Sequence, residues 1–381
     1  MDFSLNENHI AIGDLARGIL EKEMSPERVK QIQGGQEWMD RKLWATLADA
    51  GLLGIAVPED FGGMGLGIVE CCALLVELGR VVAPVPALAA LVLGGLPVAR
   101  FGTEEQKKAL LPGLASGQTV LTAALVDRGS IDPGAPATSA HKQGSSWTIT
   151  GFKTAVPYAH IAQRILVPAS TDQGTVVFLV DPASDGLTIT RGRSTSGEPL
   201  CDLQLDGVGV GEGDLLGGPG VAGDPHSCAA QWTYQHALVA ISALQLGVSE
   251  RALEMTTDYA REREQFGVPI GSFQAVQHRA ADCYIDLQSM RWTTWRAAWK
   301  LSIGEPAPRE TAVAKFWAAE GGSRIANAAQ HLHAGLGVDT DYPIHRYFIW
   351  SKALELCLGS AANQIVNIGT DMAANPPQGN L

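Results

Sequence analysis

The chain has 381 residues, of which 46% are hydrophobic and 18% charged, a balance typical of a globular protein with two or three packed domains. Its formal net charge of −12 argues against binding nucleic acid or an anionic membrane through a broadly basic surface. An anionic ligand would therefore need a local cluster of basic residues. The N-terminus reads as an acidic amphipathic helix without a signal peptide, and the six cysteines lack metal-type spacing. We therefore expect a cytoplasmic protein with reduced thiols.

The first part of the chain is helical by pattern. The uncharged stretch 81–98 has the length of a membrane span, but prolines and glycines interrupt it, so it predicts a buried core helix. We assign residues 1–118 to an N-terminal α-helical domain. Apolar residues recur at helical spacing over 5–31, 39–50, 66–80 and 103–116.

The composition changes near Gln118. Segments rich in Val, Ile and Thr predict strands that begin at Trp147, Arg164, Thr175 and Leu187. A glycine-rich segment, 209–225, predicts a linker, so residues 119–225 are assigned to a middle β domain. The remainder, 226–381, is predicted to be a C-terminal bundle of four helices, with patterns over 227–262, 272–303, 306–330 and 342–371.

The most informative segment is 259–278, YAREREQFGVPIGSFQAVQH. It ends one helical pattern, turns in a stretch rich in glycine and proline, and begins another helix. It places the Arg263 guanidinium, the Gln265 amide and the Phe266 ring on one turn. That set suits a pyrophosphate and a stacked ring, because arginine binds phosphate oxygens in a bidentate manner. A capped helix hairpin with a surface ion pair explains the same residues equally well.

This segment strongly resembles the acyl-CoA dehydrogenase pattern YxxxRxQFGxPIxxFQ. Other segments resemble the family in the same order: GLLGIAVPEDFGGMGLG at 51–67, FGTEEQKKALLPGLASGQ at 101–118, GFKTAVPYAHIAQRILVPA at 151–169 and HLHAGLGVDTDYPIHRYF at 331–348. The resemblance implies an α+β multidomain fold with an N-terminal helical domain, a middle β-barrel-like domain and a C-terminal four-helix bundle. It also implies FAD and the α,β-desaturation of a CoA thioester, in which a base removes the Cα proton.

The resemblance locates the base, and both locations lack a carboxylate. In most members a glutamate followed by Gly and Thr or Ser ends the last long helix, and Leu358 matches it. In other members the glutamate lies ten residues before a glycine that matches Gly247, which gives Ala237. Glu355, three residues before Leu358, is a weak substitute because i and i+3 share a helix face; a salt-bridged glutamate is the simpler interpretation. His236, beside Ala237, is more simply a packed residue, so no catalytic residue is assigned.

The residues that match cofactor-binding positions form a different set. By resemblance they hold an FAD that is bound mainly by the neighbouring subunit, and His331 stands where the family's flavin loop has a glutamine, with Gln330 beside it. They are Arg263, Gln265, Phe266, Gln274, His331 and Gly335. His331 and His333 form an HxH pattern with two aspartates downstream, but the ligand spacing is not that of zinc sites, so no metal is predicted.

The chain resembles the base-lacking subunit of bacterial α2β2 acyl-CoA dehydrogenases, including those that oxidise sterol side-chain CoA thioesters. This implies a glutamate-bearing acyl-CoA dehydrogenase paralogue as partner, a shared FAD, an acyl-CoA substrate and an electron-transferring flavoprotein as acceptor. Two alternatives stay open. One is a self-sufficient homomeric enzyme that uses Glu355 or another base, and the other is a non-catalytic acyl-CoA-binding or scaffold protein.

Overall fold

The structure is a computed structural model that describes residues 6–35, 37–216 and 229–376. The chain divides into two compact units. The first comprises Met1–Val29, Cys72–Ala83 and Leu238–Leu381, and the second comprises Lys30–Cys71 and Pro84–Ala237. Each unit combines segments from different parts of the chain, so this division does not test the domain boundaries predicted at residues 118 and 225. They stay predictions, and residue 225 lies outside the described residues.

Helices dominate both ends of the chain, as the periodicity predicts. The predicted helix over 5–31 is two helices, because Pro26 begins a new one; a proline lacks the N–H that a continuous helix needs but suits a first turn. The α-helices of the described residues are α1 (Glu7–Glu23), α2 (Pro26–Gln33), α3 (Arg41–Asp49), α4 (Ile68–Arg80), α5 (Leu96–Phe101), α6 (Glu104–Ala115), α7 (Ala229–Glu262), α8 (Gln274–Ser302), α9 (Pro308–His333), α10 (Ile344–Leu356) and α11 (Ala361–Ala374).

The apolar stretch before α6 is buried. Leu88–Gly95 forms a π-helix that continues into α5, and seven of its eight residues are buried. At Gly94 the chain packs so closely that an added Cβ would lie 2.2 Å from the Cβ of Leu121. Within the described residues, we find no helix with the combined length and apolarity that a membrane span requires.

The middle of the chain forms one mixed sheet in the second unit. Its strands run in the order β6-β7-β3-β2-β4-β5-β8, and β1 lies parallel to β4. The sheet buries a core that includes Ile149, Val167, Phe178 and Leu203. The strands are β1 (Leu121–Ala123), β2 (Ser139–Gln143), β3 (Ser146–Pro157), β4 (Arg164–Thr171), β5 (Gly174–Val180), β6 (Leu187–Arg193), β7 (Pro199–Gly211) and β8 (Leu215–Leu216).

The predicted linker over 209–225 is wrong for residues 209–216, the part of it that the structure describes. Residues 209–211 belong to β7, which pairs with β3 on one side and β6 on the other. Residues 215–216 form β8, which pairs with β5. The rest of that predicted segment, from residue 217, lies outside the described residues.

The C-terminal helices depart from the prediction at one point. Helix α9 packs against α8, α10 and α11. The fourth helical pattern, 342–371, is two helices, because the chain turns at Leu358 (φ +52°) and Gly359 (φ +101°). Ser360 then caps α11 in a capping box with Asn363. The described residues of this domain therefore contain five α-helices where four were predicted.

Candidate functional site

A short hairpin follows α7 and forms the centre of the predicted site. Glu264–Gln265 (β9) pairs antiparallel with Val268–Pro269 (β10). Phe266 (φ +56°) and Gly267 (φ +81°) form its tip, and two residues with positive φ are typical of the type I′ turn that suits a two-residue hairpin. Helix α8 begins directly afterwards, at Gln274.

The hairpin is exposed, and its key side chains have few internal partners. Phe266 is 95% exposed, with an edge contact to Phe273 at 6.2 Å between ring centroids. Arg261, two residues before Arg263, pairs with Asp258 at 3.4 Å. Arg263 is also exposed, but its guanidinium has no hydrogen-bond or ion-pair partner among the described residues. The surface ion pair of the alternative interpretation is thus present at Arg261, and Arg263 takes no part in it.

An aromatic stack holds the base of the hairpin against the loop that follows α9. The ring of Tyr259, at the end of α7, stacks on His333 at 4.4 Å and 20°. On its other side His333 contacts Tyr342, with 3.4 Å between Nε2 and the tyrosine hydroxyl. The His333 Nδ1–H donates to the carbonyl oxygen of Ala329 at 2.8 Å, and burial lowers the pKa of this histidine. A neutral, oriented imidazole thus joins two segments that the sequence analysis assigned separately to the cofactor.

The last turn of α9 and the loop after it carry the other two predicted cofactor residues, His331 and Gly335. His331 is exposed, with its Nδ1 3.2 Å from the Arg279 guanidinium. Gly335 is also exposed, and an added Cβ would meet nothing within 4 Å. Gln330 braces the loop, because its Nε2 donates to the carbonyl oxygen of Gly337 at 2.6 Å. The described residues contain no group of three or more His, Cys, Asp or Glu side chains placed to hold a metal ion.

These residues fit the diphosphate half of FAD. Arg263 offers a guanidinium that no carboxylate of the described residues neutralises. Gln274 is exposed at the first position of a 29-residue helix, where peptide N–H groups favour an anion. Gln265 is exposed as well, although its Nε2 donates to the carbonyl oxygen of Glu264 at 2.7 Å. A phosphate oxygen of a dinucleotide is the kind of acceptor that such donors bind best.

The two positions matched to the family's base carry apolar side chains, and their surroundings differ. Leu358 is partly buried in the turn between α10 and α11. Ala237 is fully buried within α7. His236 is a packed residue: its Nδ1–H donates to the carbonyl oxygen of Trp232 at 2.8 Å, and the two rings stack at 3.5 Å. Burial lowers the pKa of His236 to about 4.

Glu355 is held by lysines and is not on a shared helix face with Leu358. Its carboxylate lies 2.5 Å from Nζ of Lys352. Nζ of the buried Lys315 binds the carbonyl oxygens of Leu354 at 3.0 Å and Glu355 at 2.9 Å. Because α10 ends at Leu356, the i, i+3 relation assumed for a continuous helix does not extend to Leu358. Glu355 is therefore a salt-bridged residue, as the simpler interpretation of the sequence has it.

A buried ion pair lies in the sheet unit, between the turn that follows β1 and strand β3. Asp127 lies 2.8 Å from Nζ of Lys153, and both side chains are almost completely buried. The other carboxylate oxygen accepts from the Thr138 N–H at 3.0 Å and its hydroxyl at 2.5 Å. Both oxygens of the Asp127 carboxylate therefore have partners inside the sheet unit.

The sequence matches two protein-family models. Residues 6–118 match the acyl-CoA dehydrogenase N-terminal domain, and residues 228–373 match the acyl-CoA dehydrogenase C-terminal domain. These matches and the helix–sheet–helix architecture place the chain in a class of oxidoreductases whose members bind FAD. It belongs to the acyl-CoA dehydrogenase family.

Individual relatives make the comparison more specific. Acyl-CoA dehydrogenase FadE27 of Mycobacterium tuberculosis is 39% identical, over 99% of this chain and 100% of its own length. The ChsE4–ChsE5 complex of the same organism has a chain with a TM-score of 0.92 and 40% identity, over 99% of this chain and 100% of that one. The Tcur3481–Tcur3483 steroid ACAD gives a TM-score of 0.90 and 41% identity, over 97% of this chain and 99% of that one.

Proposed function

We propose that this chain is the base-lacking subunit of a heteromeric FAD-dependent acyl-CoA dehydrogenase. It completes the FAD site of a glutamate-bearing paralogue and has no catalytic base of its own. One observation carries the proposal: an exposed hairpin presents Arg263, which has no carboxylate partner in the part of the chain that the structure describes, while the matched base positions hold Leu358 and Ala237. Neither side chain accepts a proton.

One face of α8, the helix that follows the hairpin, supports a partner subunit. Helix α8 leaves Ile285 (61%), Trp292 (50%) and Trp299 (37%) exposed at intervals of seven residues, which places them on one face of the helix. Apolar surface of this kind is typical of protein–protein contacts. Phe266, at the tip of the hairpin, adds to this exposed apolar surface. The same hairpin carries Arg263, so a partner that binds there would also meet the donors for FAD.

Each part of the site then has a defined task. FAD, when bound, accepts the hydride from Cβ of the thioester. Arg263 and Gln274 bind the diphosphate, and the stack of Tyr259, His333 and Tyr342 keeps the hairpin oriented. Since Leu358 cannot take the Cα proton, the partner's glutamate does so. We also infer that an electron-transferring flavoprotein reoxidises the assembly.

We infer a steroid side-chain CoA thioester as the substrate. The support is the similarity to the Tcur3481–Tcur3483 steroid ACAD, at 41% identity. We also infer that the loss of a carboxylate from these two positions lets the assembly accept a bulky ring system. The test compares kcat/KM of the mixed enzyme on a steroid-CoA and on a linear acyl-CoA. Equal or better turnover of the linear substrate would count against this inference.

The decisive experiment co-expresses the chain with a glutamate-bearing paralogue and measures flavin content, native mass and activity. We expect flavin and activity only in the mixed complex, with fewer flavins than chains. In that complex, Arg263→Gln should weaken FAD binding about tenfold or more, because a charge-assisted hydrogen bond contributes about 1.5–3 kcal/mol. Arg261→Gln is the matched control: it removes the same charge two residues away, from an arginine already paired with Asp258.

Both alternatives give different results in the same experiment. A yellow, active product from this chain alone, inactivated by Glu355→Gln, would establish the homomeric enzyme. A mixed complex without flavin and without partner-dependent activity would establish the scaffold. Equal loss of FAD in the Arg263 and Arg261 variants would show that the hairpin acts only through its overall charge.

A further inference from the structure

A cavity of about 320 Å³ lies within the first unit, away from the hairpin. It is lined by α1, α2, the end of α4, the middle of α7 and the start of α10. Arg251 on its wall precedes Arg263 by twelve residues, which is about 18 Å along a helix at 1.5 Å per residue. The charged residues of its lining are Arg17, Glu21, Glu77, Arg80, Arg251 and Arg346.

Three of the four arginines are already neutralised by carboxylates. The pairs are Arg17–Glu77 at 2.7 Å, Arg80–Glu250 at 3.0 Å, Arg80–Glu254 at 2.8 Å and Arg251–Glu254 at 3.2 Å. Tyr347 adds a hydrogen bond from its hydroxyl to the carbonyl oxygen of Arg80 at 2.8 Å. This network is satisfied internally and fixes one wall of the cavity.

Arg346 is the exception. It is only 3% exposed, and its guanidinium has no hydrogen-bond or ion-pair partner among the described residues. Glu27 and Asp341 act on it only at longer range, and both are exposed to solvent. Desolvation lowers the pKa of Arg346, yet an arginine stays protonated at neutral pH. Its guanidinium lines the cavity, where an anion would supply the partner that the described residues do not.

We propose that this cavity binds a small oxyanion, a carboxylate or a phosphate, through Arg346. The planar guanidinium matches two oxygens of either group in a bidentate pair. Pro343, immediately before the first turn of α10, also lines the cavity, so the positive end of that 13-residue helix favours the same charge. The site is independent of the FAD hairpin.

The test measures binding of inorganic phosphate and of malonate to the full-length chain, with its partner subunit if purification requires one. Equilibrium dialysis with radiolabelled ligand is done at constant ionic strength. We expect saturable binding of at least one ligand to the wild type. Arg346→Gln should weaken it tenfold or more. Arg41→Gln should leave it unchanged, since Arg41 forms a surface pair with Glu37 in the other unit.

A second variant covers the case in which Arg346→Gln does not fold. Arg346→Lys keeps the charge but loses the two-pronged geometry, so the Kd should rise severalfold to tenfold. Phosphate binding alone would identify a phosphoryl ligand, and malonate binding alone a carboxylate; both results support the site. The proposal is overturned if the wild type binds neither ligand saturably. It is also overturned if the Arg346 variants that fold bind as tightly as the wild type, or if Arg41→Gln weakens binding equally.

Discussion

Replacing Lys153 with methionine should destabilise the sheet unit by about 3–5 kcal/mol, the usual cost of removing one partner of a buried ion pair. Lys153 is fully buried, and its Nζ lies 2.8 Å from the carboxylate of Asp127. Methionine fills similar space but supplies no charge. Asp127 would then be a buried carboxylate held only by its two hydrogen bonds from Thr138.

This loss of free energy converts into a large change in melting temperature. The second unit contains about 200 residues, and 1 kcal/mol shifts the midpoint of a domain of that size by about 2–4 °C. The Lys153→Met variant should therefore melt about 6–20 °C lower than the wild type in differential scanning calorimetry. Calorimetry is the suitable assay because it shows whether the two units unfold in separate transitions.

The double variant Asp127→Asn, Lys153→Met separates charge from packing. Asparagine keeps an acceptor for Thr138 and carries no charge, so most of the lost stability should return. A Lys153→Met variant that melts within about 2 °C of the wild type would refute the assignment of this pair as a major stabilising contact. A double variant as unstable as the sum of the single variants would show that the unpaired charge is not the cause.

Other residues give equally direct tests. The pKa of His236 is lowered to about 4 by burial, against about 6.5 in an unfolded chain, so between these values only the unfolded chain binds the proton. Unfolding free energy should thus fall by about 3 kcal/mol from pH 6.5 to 4, and urea titrations should show a smaller fall in His236→Gln. Gly247→Ala should cost about 3 kcal/mol or more, because its Cβ would lie 1.9 Å from the carbonyl oxygen of Val76. At Gly369 an added Cβ would meet nothing within 4 Å, so Gly369→Ala should be neutral or stabilising by up to about 1 kcal/mol. Comparing the melting temperatures of the two variants tests this difference. Lys315→Met should lower stability by about 1–3 kcal/mol, measured by the same calorimetry, because it strands two buried carbonyl acceptors at the end of α10.

The helices were predictable because their apolar faces repeat locally, and the errors have local causes. The break between α10 and α11 was missed because Leu358 adopts a positive φ that a leucine rarely takes. Gly359 and the capping box of Ser360 with Asn363 were nevertheless present as signals. Strand β7 was not predicted, and the glycines at its end were interpreted as part of a linker. Its pairing with β3 and β6 is non-local and cannot be read from its own residues.

In the candidate site, too, local features were predictable from the sequence and non-local contacts were not. Its hairpin was visible because Arg263, Phe266 and Gln274 belong to one contiguous segment. The stack of Tyr259 on His333 joins α7 to the end of α9, and no local pattern indicates it. Nor does the sequence distinguish Arg346 from the paired arginines, because arginine is ordinarily exposed and only the fold buries this one.

The end of α10 explains why Glu355 does not replace the missing base. Lys315 holds the last carbonyls of the helix from inside, and Lys352 pairs with the Glu355 carboxylate. The helix then ends at Leu356, and the positive φ of Leu358 turns the chain, so a carboxylate at 355 and a side chain at 358 do not project in the same direction. Glu355 is therefore not placed to supply the proton acceptor that Leu358 lacks. Under the proposed function the proton acceptor is the glutamate of the paralogue, in the paralogue's own site, which the hairpin of this chain completes.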